Sequence, residues 1–165
     1  MPYTSPPKNY PVEAEPRLPN PILPTANWAD AFEIETPRVF SDMRQLAEQT
    51  IGSMPRWARW LLVVRNILVV PFGLKSDGLA DGQGTADCID IFPVLDETKD
   101  RIVLGFDDRH LDFRIVVDRH ATDRASFLLR ATTLVGRHNA MGRIYIAVVA
   151  PFHRAIVKSV LKNAV

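Results

Sequence analysis

Three ionisable side chains alternate along HLDFRIVVD (110–118): His110, Asp112 and Arg114 take every second position, and Leu111, Phe113, Ile115 and Val117 take the other face. Side chains two apart in a strand share a face, so this pattern sets an imidazole, a carboxylate and a guanidinium side by side. As the solvent face of a sheet they would satisfy one another's charge. As the lining of a cavity, Asp112 would orient and charge His110 while Arg114 held an anionic group of a ligand. A further histidine lies in APFHRAIVKSVL (150–161). On a wheel of 100° per residue Arg154, Lys158 and Lys162 form one solvated stripe, whereas His153 falls among Phe152, Ile156, Val157 and Val160. A histidine on an apolar face is expected to be hydrogen-bonded or paired with a carboxylate such as Asp112.

Other residues are weaker candidates. In GRHNAMGR (136–143) Asn139 and Gly142 suit the left-handed positions of a turn flanked by Arg137, His138 and Arg143. Such a loop is either a plain hairpin turn or a mouth that recruits a carboxylate or phosphate. Tyr145, on the strand expected next, offers a hydroxyl to a ligand or satisfies it in the core. Arg65 borders the stripe of Leu61 and Leu68, where its stem covers the core or its head anchors an anion. His-x-Asp with His153 or His138 would give three donors for a metal, but no partner for the second ring nitrogens can be read, and no metal is expected. Cys88, the single cysteine, excludes an intramolecular disulfide and a cysteine-rich zinc site. No nucleophile elbow, HExxH, Walker loop or dinucleotide fingerprint occurs, and GQG at 82–84 is too short for a phosphate loop. No cofactor is expected.

The elements that must position these residues follow from the hydrophobic pattern. Eight of the thirteen prolines fall within the first 24 residues, which opposes helix and ladder pairing and predicts an extended or disordered arm over 1–26. A single domain is expected over 27–165. WADAFEIE (28–35) alternates as a half-buried strand. Thr36-Pro37 then starts a helix carrying Phe40, Met43, Leu46, Ala47, Thr50 and Ile51 at helical spacing. A second helix follows from Ser53, with Trp57, Trp60, Leu61, Val64 and Leu68 on one face, and a glycine-rich loop fills 74–87. CIDIFPV, RIVLGF, HLDFRIVVD, ASFLLRATTLV and RIYIAVVA read as five strands of an antiparallel meander. The last helix starts with Pro151 in its first position. One strand, two helices, five strands and a terminal helix make an α+β domain.

FGL (72–74), HLDFR (110–114), HNAMGRIY (138–145) and PFHR (151–154), in that order, resemble the bacterial domain-of-unknown-function family 2867. That family resembles the helix-grip superfamily of START domains, polyketide cyclases and birch-pollen-allergen-like proteins. The resemblance implies a curved antiparallel sheet, here of about six strands, wrapped around a C-terminal helix with a cavity between them. It implies no reaction.

Lys and Arg number 20 against 19 Asp and Glu, so no basic stripe invites nucleic acid. WLLVVRNILVVPFGL (60–74) is broken by Arg65, Asn66 and Pro71 and falls short of a membrane span. The first 25 residues hold no apolar run of the kind a secretory leader needs, and a cytoplasmic protein is expected. The expected activity is binding of a small apolar or amphipathic ligand, with His110, Asp112, Arg114, His153, Arg65, Asn139 and Tyr145 as polar anchors. Two alternatives stand beside it: a cyclase- or dehydratase-like enzyme using His and Asp as acid and base, and an interaction module with a filled cavity. Homo-oligomerisation stays open.

Overall fold

The computed structural model describes residues 9–51, 87–90, 92–123 and 125–165. Its strands are β1 (Val12–Ala14), β2 (Trp28–Thr36), β3 (Cys88–Ile89), β4 (Phe92–Thr98), β5 (Arg101–Asp107), β6 (Leu111–Ala121) and β7 (Phe127–Arg137), and its helices among the described residues are α1 (Met43–Ile51) and α2 (Ala140–Lys162). The seven strands form one sheet in the order β1-β2-β7-β6-β5-β4-β3. Every neighbouring pair is antiparallel. The α+β class and the meander of β4 to β7 agree with the hydrophobic pattern.

Strand alternation divides the sheet into two faces. One carries Phe32, Ile34, Ile102, Leu104, Val117 and Leu129, packed against α1 and against Leu161 and Ala164 at the end of α2. The other carries Val103, Val116 and Leu134 and is covered by Ile22, Leu23 and Ala26 of the proline-rich segment. That segment is therefore partly built into the fold. Between Pro11 and Pro16 lies a short proline-free window, and there β1 pairs with β2 (Val12↔Glu33, Ala14↔Ala31), so the expectation that the prolines forbid pairing fails where they leave a gap.

Three further expectations need correction. The first helix starts at Met43 rather than at Thr36, because Thr36 completes β2; Asp42 Oδ1 accepts from Gln45 N at 2.7 Å and caps the helix. CIDIFPV divides into β3 and β4 at Asp90, whose φ of 55° is a left-handed conformation that aspartate tolerates. RIYIAVVA is the first half of α2 and not a strand, which places Tyr145 on a helix and Pro151 in its interior. With β1 gained, β3 separated and RIYIAVVA lost, the sheet has seven strands instead of about six. The expected second helix, the glycine-rich loop over 74–86 and Arg65 lie outside the described residues.

Both ends of α2 are held at or just beyond the ends of β strands. At the start, Asn139 takes an extended conformation (φ −148°) and its side chain accepts from Gly142 N at 3.1 Å. It is an N-cap, not the left-handed turn residue expected. Gly142 lies so close to the residue before β6 that an added Cβ would collide with the His110 carbonyl oxygen. At the other end, Thr36 Oγ1 donates to Ala164 O at 2.7 Å and Arg38 Nη1 donates to Asn163 O at 3.1 Å. These donors serve carbonyls at the helix end that have no partner within the helix.

Thr36 is fully buried, so Thr36→Val keeps the shape and strands a buried carbonyl. Loss of that bond should cost about 1–3 kcal/mol in urea unfolding, whereas Thr98→Val, on the exposed end of β4, should stay within about 0.5 kcal/mol of the parent.

Candidate functional site

β2 and β7 pair with Asp30 opposite Thr133. Trp28, Asp30, Phe32 and Ile34 alternate on the face that meets α2, so a carboxylate interrupts an otherwise apolar row. His153, on the sheet side of α2, closes over it. His153 Nε2 lies 2.8 Å from Thr133 Oγ1 and 3.4 Å from Asp30 Oδ1. The Trp28 ring meets the imidazole edge-on with centroids 6.3 Å apart.

Asp30 is only 5% exposed, and neither carboxylate oxygen has a hydrogen-bond partner. The nearest basic side chains do not change this. His153 gives its short contact to Thr133, and Arg154 Nε stops 3.9 Å from Asp30 Oδ2 with its own side chain half exposed. Ion pairs at such separations offset little of the cost of removing a carboxylate from water, and buried polar atoms in folded proteins are nearly always bonded. The site is a buried acceptor pair without donors. Arg154, expected as a purely solvated residue, leans toward it.

The sequence-predicted constellation lies elsewhere. Phe113 and Ile115 face α2, so Asp112 and Arg114, which alternate with them, point to the opposite side of the sheet. Asp112 Oδ2 lies 2.9 Å from His138 Nε2, and His138 Nδ1 lies 3.3 Å from the Arg109 carbonyl oxygen. Arg114 Nη1 pairs with Asp107 Oδ1 at 2.6 Å and also donates to the carbonyls of Phe106 and Phe113. Asn139 Oδ1 is taken by Gly142 N, so Asn139 Nδ2 donates to His110 Nδ1 at 2.9 Å. Asp112 thus holds His138 rather than His110, and the carboxylate beside His153 is Asp30 rather than Asp112. Tyr145 packs beside Leu111, Val135, Ile146 and Trp28.

Asp30, Thr133 and Trp28 were not among the sequence candidates. The signal was present in WADAF: the period that sets Phe32 and Ile34 inward also sets Asp30 inward. Among the described residues no three His, Cys, Asp or Glu side chains converge to hold a metal ion.

The hydrogen bond to Asp112, helped by the Arg109 carbonyl, raises the His138 pKa above its ordinary 6.5. Arg114 holds the Asp107 carboxyl below its ordinary 3.8. A raised histidine pKa contributes stability that is complete below pH 6.5 and fades as the pH climbs through the raised value. The Asp107 contribution is present above pH 3.8 and is lost as the pH falls through the lowered value. In a proton NMR titration His138 should therefore titrate above 6.5, and Asp112→Asn should bring it back toward that value.

A family model described as "Protein of unknown function (DUF2867)" matches residues 22–160. No curated protein and no solved structure matches the chain. The matched span runs from the segment that covers the far face of the sheet to the last turns of α2 and includes Asp30, Thr133 and His153, so the chain belongs to the DUF2867 family.

Proposed function

We propose that this domain holds a small amphipathic or apolar molecule between the sheet and α2, in the manner of the helix-grip proteins its sequence resembles. The observation that carries this reading is the Asp30 carboxylate, buried with both oxygens unpartnered. A polar group left in that state is costly, and a bound molecule that supplied the missing donor would offset that cost.

The surroundings suit such a molecule. Strand registers place Asp30, Thr133, Ile115, Leu104 and Val94 on one row across β2, β7, β6, β5 and β4. The row is polar beneath α2 and apolar beyond it. A neighbouring row carries Trp28, Val135, Phe113 and Phe106. α2 packs on β2 and β7, and Val94, Phe106, Phe113 and Ile115 keep partial exposure. An apolar body lying on these residues would put its polar end at Asp30, Thr133 and His153. A few convergent polar groups on apolar walls are usual for small-molecule sites.

A second reading, a cyclase- or dehydratase-like enzyme, is favoured by the approach of His153 Nε2 to Asp30 Oδ1. An imidazole within reach of a carboxylate is a pairing that general acid–base chemistry uses.

Nile red, a neutral apolar dye, tests the binding reading. Its emission should rise saturably and stoichiometrically with the chain, and Ile115→Glu, which charges the apolar row, should weaken binding by about tenfold or more. Absence of saturable binding, or unchanged binding in an Ile115→Glu protein with native circular dichroism, would count against the site.

A further inference from the structure

We infer that the molecule bound at this site carries a basic nitrogen head, a protonated amine or amidinium, on an apolar body. This rests on the binding reading above and names the ligand class that the site selects.

An ionised carboxylate only accepts, through two oxygens with room for several donors. Both Asp30 oxygens are unfilled. Thr133 Oγ1 and His153 Nε2 share a hydrogen bond of 2.8 Å. The largest unmet capacity is thus that of the carboxylate, and a cationic donor is its strongest complement.

The neighbouring cations do not take that place. Lys158 Nζ is committed to Glu13 Oε1 at 3.1 Å and lies over the Phe32 ring, 5.2 Å from its centroid. Arg154, which follows His153 on α2, ends at 3.9 Å, outside hydrogen-bond range. Glu13 and Lys158 belong to the β1 side of α2. The β6 side of Asp30 is apolar, with Ile115 next to Thr133 on its row. A cationic head arriving from that side would meet the free oxygens and the Trp28 ring, whose face also favours cations. A carboxylate head would be brought against Asp30, and like charges in a buried site repel strongly.

Isothermal titration of the whole chain with decylamine, decanol and decanoate, each below its micellar range at pH 7, tests the inference. The three share one apolar body and differ only in the head. Decylamine should bind about tenfold or more tighter than either competitor, because hydrogen bonds between charged partners are roughly twice as strong as neutral ones. Asp30→Asn should erase that preference while keeping decanol binding, and it should melt no lower than the parent because it removes an unpaired buried charge. Should Asp30→Asn fail to fold, the ranking of the three heads on the unaltered protein still decides. Equal binding of all three, or tighter binding of decanoate, overturns the nitrogen-head inference and leaves the site standing. Saturable binding of none of them overturns the site as well.

Discussion

The nine-residue pairing of β2 with β7 places Asp30 opposite Thr133, and the rest of the candidate site depends on that register. A slip of one residue would turn Asp30 to the far face, where Glu33 already pairs with Arg130 at 2.9 Å. The register is held by what surrounds it. Phe32 and Ile34 are buried on the α2 side, and Leu23 closes over Leu134 on the other. α2 must then lie at a set height above the pair for His153 to reach Thr133. Asn139 and the close approach of Gly142 to His110 fix one end of the helix, and Thr36 and Arg38 fix the other. Because Thr36 ends the same strand that carries Asp30, one strand both presents the carboxylate and anchors the helix above it.

Much of this architecture is legible in the sequence. WADAFEIE, RIVLGF, HLDFRIVVD and ASFLLRATTLV alternate with a period of two and are strands. The buried positions Met43, Leu46, Ala47, Thr50 and Ile51 of α1 follow the helical period. RIYIAVVA misleads because Ile144, Ile146, Val148 and Val149 are β-branched and the run is short, and periodicity alone does not separate a short apolar strand from a buried helix. What separates them is context. Asn139 three residues before Gly142 is an N-cap signal, and the inward positions Tyr145, Ile146, Val149, His153, Val157 and Val160 keep helical spacing through Pro151. Proline lacks the N–H that would bond Ala147 O, so the pattern argues for a break there. Packing of the helix on the sheet overrides it.

The site was less legible than the fold. HLDFR draws attention through the density of its ionisable groups, and those groups do find partners, but mostly one another and the turn before α2. Asp112 with His138, and Arg114 with Asp107, form a network at that end of the helix in which the partly exposed His138 and the exposed Asp107 are screened by solvent. Asp30 sits between two alanines and draws no attention in the sequence, yet it is the carboxylate that is buried with neither oxygen hydrogen-bonded. Which carboxylate faces His153 depends on strand order, because β2 and β7 are brought together across about a hundred residues of chain. No local pattern encodes that meeting.

On the proposed reading Asp30, beneath α2, is an acceptor left open for a bound molecule. A crystal structure of the protein grown with decylamine tests it most directly. The account predicts the ammonium nitrogen at hydrogen-bond distance, about 3 Å, from an Asp30 carboxylate oxygen, with the alkyl chain lying over Ile115 and Phe113. An Asp30 carboxylate saturated by donors from the protein itself, with no alkyl chain on that row, would contradict it.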